Sequence, residues 1–82
     1  MNIGGLYRVN GYFFLHKHEP NSLMPILVHP EGYRKIGPET YFILLNHRPW
    51  RTNLSVMTIL AQDEKGYIIA TEENLVEAKN DR

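Results

Sequence analysis

Asp63-Glu64-Lys65-Gly66-Tyr67-Ile68-Ile69, followed closely by Glu73-Asn74-Leu75-Val76-Glu77, is the stretch that decides the fold. Gln62 to Gly66 reads as a tight turn, because Asp and Gly tolerate the backbone angles that turns require. Tyr67 to Thr71 is then the returning strand, carried by an aromatic and three β-branched residues. Thr71-Glu72-Glu73-Asn74 has the form of a helix start, with Thr71 at the N-cap and acids in the first turn. Only about eight residues remain before Lys79, and an isolated helix that short is marginal in water. The reading is therefore one helical turn at Glu72–Asn74 and a last strand at Leu75–Ala78. A continuous helix from Glu72 to Lys79 is its rival.

Upstream, Ser55 to Ala61 alternates Met57, Ile59 and Ala61 against Val56, Thr58 and Leu60. One set faces a core, and the alternation alone leaves the choice open. Tyr41-Phe42-Ile43-Leu44-Leu45 is apolar on both faces and predicts the most buried strand. His47-Arg48-Pro49-Trp50-Arg51-Thr52-Asn53 is expected to break it with a polar loop. Gly37-Pro38-Glu39 and Pro30-Glu31-Gly32-Tyr33 read as turns, and His18-Glu19-Pro20-Asn21-Ser22 as loop. Met24-Pro25-Ile26-Leu27-Val28 resembles a strand, which Pro25 confines to a sheet edge or to the strand's first position because it cannot donate to a central ladder. At the start, Asn10-Gly11 carries a hairpin signal between Tyr7-Arg8-Val9 and Tyr12-Phe13-Phe14-Leu15, which would pair Val9 with Tyr12; a single strand bent there is the alternative.

The chain has 82 residues, which bounds it to one small domain, with 1–4 and 79–82 expected to fray. Its apolar share of 43% supports a compact core, and charged residues at 22% are too few for a disordered chain. With no cysteine, disulfides and thiolate zinc sites are excluded. Neither a membrane-length apolar run nor a secretory signal is visible, so a cytoplasmic location is expected. Net charge is +0, which argues against a strong non-specific nucleic-acid binder. The charge is nonetheless polarised. Arg8, Lys17, Arg34, Lys35, Arg48 and Arg51 dominate the first part, and Asp63, Glu64, Glu72, Glu73, Glu77 and Asp81 the last.

From Tyr41 to Ala78 the chain resembles the latter part of an SH3-like barrel. Gly66-Tyr67-Ile68 matches the glycine-aromatic-aliphatic step after the distal hairpin, and Asn74-Leu75-Val76-Glu77 the helical turn and closing strand. The resemblance implies an all-β barrel of five to six strands, a long first (RT-type) loop within residues 6–40, and one helical turn before the last strand. Departures narrow the function. The first strand reads Gly5-Leu6-Tyr7-Arg8-Val9, Trp50 comes earlier than the ligand-binding Trp of proline-peptide-binding SH3 domains, and Ile69 stands where their Pro would be sought. The texture is closer to bacterial and bacteriophage SH3-like proteins, which mostly serve as binding modules or accessory subunits. For a phage-encoded chain the location would be the host cytoplasm.

The expected contact surface is Asn46-His47-Arg48-Pro49-Trp50-Arg51, helped by Tyr33, Arg34 and Lys35. Trp and Arg combine large area with directed polar contacts and are enriched at binding hot spots. Here Trp50 would stack on a partner while Arg48 and Arg51 meet carboxylate or phosphate. The rival role for Trp50 is to fold back and cap the barrel. Tyr7, Tyr12 and Tyr67 could join Tyr33 and Trp50 in an aromatic groove, although strands favour aromatics for packing alone. His16, His18, Glu19 and His29 invite a metal reading, but no third ligand is fixed by spacing, so no metal and no cofactor are expected. No nucleophile elbow, P-loop or HExxH occurs, and Ser22 and Ser55 lack evident His and Asp partners. The expectation is a non-enzymatic module that binds a protein partner. Alternatives are a nucleic-acid-binding barrel of Tudor, KOW or Sm type using the same loop, and a structural subunit, for example of a phage particle, assembling by strand addition at Met24–Val28.

Overall fold

The computed structural model describes residues 1–17, 19 and 33–78. Seven strands run in chain order: β1 (Leu6–Val9), β2 (Phe13–His16), β3 (Tyr33–Ile36), β4 (Phe42–Arg51), β5 (Leu54–Ala61), β6 (Glu64–Ala70) and β7 (Leu75–Glu77), with a 3₁₀ turn at Glu72–Asn74 before the last. They form one curled antiparallel sheet in the order β3-β2-β6-β5-β4-β1-β7. The protein is thus all-β, as expected, with more strands than the five to six anticipated. The short helical turn and closing strand lie where the sequence places them, and no long C-terminal helix forms.

The two central hairpins set the frame. Gln62 and Asp63 both adopt left-handed backbone, φ 50° and 69°, which is the two-residue turn that matches the twist of the strands it joins. The turn is tighter than the expected Gln62–Gly66, and Glu64, Lys65 and Gly66 belong to β6. Asn53, at φ 64°, closes the β4–β5 turn. On β5 the core set is Met57, Ile59 and Ala61, all at 0% exposure, facing Leu44 on β4 and Ile68 on β6. Tyr7, Val9, Leu15, Ile36, Phe42 and Ala70 complete the core, and Phe13 and Leu75 pack against it.

Three expectations are corrected. Asn10-Gly11 closes no hairpin: β1 pairs with β4 and β7, whereas β2 pairs with β3 and β6. Neither residue takes the positive φ that such a turn needs. Asn10 instead donates from its backbone N–H to Asn74 O and from Nδ2 to Glu73 O, so its side chain fastens the chain to the 3₁₀ turn. Second, the apolar run at β4 is not buried on both faces; Phe42 and Leu44 point inward, while Tyr41, Ile43 and Leu45 are exposed. Third, residues 47–51 do not break β4 but extend it. Bulges between Leu44 and Asn46 and between Pro49 and Arg51 bend it and accommodate Pro49, which has no N–H to donate. Residues 2–5 are tied to this frame: Asn2 N–H donates to the Tyr7 hydroxyl, and Gly4 N–H to Leu44 O. Met24–Val28 lies outside the described residues.

Candidate interaction site

The second half of β4, the start of β5 and the 3₁₀ turn enclose an open groove of about 630 Å³. Pro49, Arg51 and Asn53 line it from the β4–β5 turn, Leu54 and Ser55 from β5, and Thr71, Glu72 and Glu73 from the 3₁₀ turn. Trp50 is the extra residue of the second bulge. It is half-buried, its Nε1 is enclosed without a hydrogen-bond partner among the described residues, and the Arg51 guanidinium lies 4.2 Å from its ring. Trp50 thus carries a cation on its ring.

The opposite wall is held by a compact network. Asn74 Oδ1 accepts from Thr71 N–H and Thr71 Oγ1, and its Nδ2 donates to Asn10 Oδ1. Glu72 and Glu73 project from this turn with no basic residue in it to offset them. His47 Nε2 stands 2.9 Å from Ser55 Oγ and 3.9 Å from Glu72 Oε2, two residues that line the groove. Ser55 therefore does have a histidine partner, which spacing along the chain hid because the two lie diagonally across β4 and β5. Ser55 and Glu72 meet the same nitrogen, however. A nucleophilic relay needs the acid on the other ring nitrogen; here His47 and Ser55 hydrogen-bond between neighbouring strands, and Glu72 stands beyond hydrogen-bond reach of the ring.

The remaining predicted contact residues are distributed differently from expectation. Tyr33, Arg34 and Lys35 are not in a loop; they form β3, opposite His16, Leu15 and Phe14. One transverse row, Tyr33–His16–Tyr67–Thr58–Asn46, connects β3 to the bend of β4. At about 4.8 Å per strand, its ends are separated by roughly 19 Å of curled sheet. The two parts of the predicted surface thus share a sheet but stand on strands well apart in it. Each cation in them already has a partner: Arg34 meets Glu64 at 2.9 Å, Arg48 meets Glu19 at 2.8 Å, and Lys35 lies 4.7 Å from the Tyr12 ring centroid.

The aromatic groove is not assembled either. Tyr7 is a core residue at 5% exposure, whereas Tyr12 is exposed beside Lys35. Of the residues in the metal reading, His16 is half-buried on β2, and burial lowers its pKa below the ordinary 6.5. His18 and His29 lie outside the described residues. The acidic wall at Glu72–Glu73 went unrecognised in the sequence as part of a site. The helical-turn signal marks its position, but only the β4–β5 turn standing opposite makes it a groove. No family model matches the chain, nor does any curated protein or solved structure.

Proposed function

We propose that the protein is a non-enzymatic binding module of the SH3-like kind, which receives an extended segment of a protein partner in the groove between Arg51 and Glu72–Glu73. The strand sequence β7-β1-β4-β5-β6, the β2–β3 excursion between β1 and β4, and the 3₁₀ turn before β7 support the SH3-like assignment. One observation carries the functional reading. Arg51, held against the Trp50 ring, and an acidic turn stand on opposite sides of a groove of about 630 Å³, giving a partner charges of both signs. Nucleic-acid binding is less well supported, because the net charge is +0 and Glu72 and Glu73 line the groove.

The test is an affinity pull-down with tagged wild type, Arg51→Ala, Trp50→Ala and a Glu72→Gln/Glu73→Gln double variant, with and without nuclease. Arg51, Glu72 and Glu73 are exposed, so their variants keep the fold even where Trp50→Ala does not. A protein recovered by wild type, resistant to nuclease and lost from the exposed variants is the expected result. Nuclease-sensitive recovery, or identical profiles from all baits, would overturn the reading.

A further inference from the structure

We infer that the outer face of β1, β4 and β5 is a second docking surface, independent of the groove, for an amphipathic helix whose apolar stripe is flanked on both sides by acids. The face is built on β4. Tyr41, Ile43 and Leu45 stand on its outer side with 52%, 37% and 37% of their surfaces exposed. Leu6 of β1, 47% exposed, lies opposite Ile43 on one side, and Leu60 of β5 opposite Ile43 on the other. The same row ends on β6 with Lys65, the partner of Leu60. On β1, Arg8 shares the face of Leu6, two residues on. An apolar strip is thus bordered by a cation on each side. Among the described residues neither Arg8 nor Lys65 forms an ion pair, in contrast to Arg34 and Arg48.

Charge and geometry select the occupant. A second copy of the chain, packed face to face about a two-fold axis, would gather the Arg8 and Lys65 of both copies around one apolar centre with no acid to offset them. An anionic bilayer would gain only about 1 kcal/mol from each cation, and the strip stands on the face of a sheet. An extended peptide laid on the face would leave its backbone groups unpaired, because those of the sheet are spent within the ladder. A helix satisfies its own backbone. From Tyr41 to Leu45 the strip runs about 13 Å, the length of roughly nine helical residues. A stripe at i, i+3, i+4 and i+7 covers it, and acids bordering that stripe meet Arg8 and Lys65.

The probes are two fluorescent synthetic helices with the same leucine stripe, one bordered by Glu and the other by Lys, titrated against the full chain by anisotropy. The Glu-bordered helix should bind at least tenfold tighter, with the difference shrinking in high salt. In the Arg8→Glu/Lys65→Glu variant the preference should reverse, and Ile43→Ser should weaken both helices while leaving the urea midpoint nearly unchanged. Arg51→Ala should leave binding intact, which separates this surface from the groove. Equal binding of the two helices would overturn the inference. So would an unchanged preference after charge reversal, concentration-dependent dimers lost on Ile43→Ser, or uptake on anionic vesicles without discrimination between the helices.

Discussion

A Cβ placed on Gly66 would stand 2.5 Å from Leu15 Cδ1 and 2.9 Å from the carbonyl oxygen of His16. Gly66 is thus a notch in β6 that receives the β2–β3 hairpin, and the fully buried Leu15 is what fills it. Its role here is close approach, since Gly4 is the described glycine with positive φ.

Gly66→Ala should therefore overpack the junction and cost about 1–3 kcal/mol, measured by urea denaturation. A double-mutant cycle identifies the cause. Once Leu15→Ala has emptied the space above the notch, adding Gly66→Ala should cost much less than it does in wild type. Equal costs in the two backgrounds would show that the glycine acts through strand propensity alone.

Asn74→Ala should lower stability by about 1–2 kcal/mol. The side chain accepts from Thr71 N–H at 2.9 Å and donates to Asn10 Oδ1 at 3.3 Å, so one truncation frees both the start of the 3₁₀ turn and its link to the end of β1. Asn74→Asp keeps the acceptor but loses the donor, and should fall between wild type and alanine. If alanine and aspartate are equally destabilising, the Asn10 link carries the effect.

Residues whose role is local were legible in the sequence. The Thr71–Asn74 turn and the strand after it follow from capping preference and from the few residues left, and the Met57–Ile59–Ala61 alternation identifies β5. What misled was local signal overridden by tertiary pairing. Asn10-Gly11 looks like a hairpin, but β1 finds β4 and β7, residues far along the chain, and Asn10 serves the 3₁₀ turn. Pro49 and Trp50 look like a loop because a proline rarely sits in a ladder, yet a bulge holds them in β4. Of the candidate site, Trp50 and Arg51 could be found from composition. The acidic wall opposite could not, because its relation to the β4–β5 turn exists only once the sheet curls.

The Arg34–Glu64 pair, at 2.9 Å with both side chains more than a third exposed, should contribute little. A double-mutant cycle with Arg34→Ala and Glu64→Ala should give a coupling energy of about 0.2–1 kcal/mol that fades as salt is raised. A coupling well above that range would show that the pair clamps β3 to β6 more firmly than its solvent exposure implies.

His16 makes stability depend on pH in a direction that can be worked out. Burial disfavours its charged form and lowers its pKa below 6.5, the value it regains on unfolding. Just below pH 6.5 the unfolded chain therefore binds the proton more readily than the folded one. The contribution of neutral His16 is fully present above 6.5, and it is lost as pH falls from there through the lower folded value. Urea midpoints for wild type should accordingly drop between about pH 7.5 and pH 5.5. His16→Gln keeps a polar side chain on β2 without the titration, so its midpoint should drop less over the same interval. The difference between the two slopes isolates His16 from the other groups that titrate there. Parallel slopes would mean that the ring takes up its proton in place, and that β2 tolerates an imidazolium opposite Tyr67.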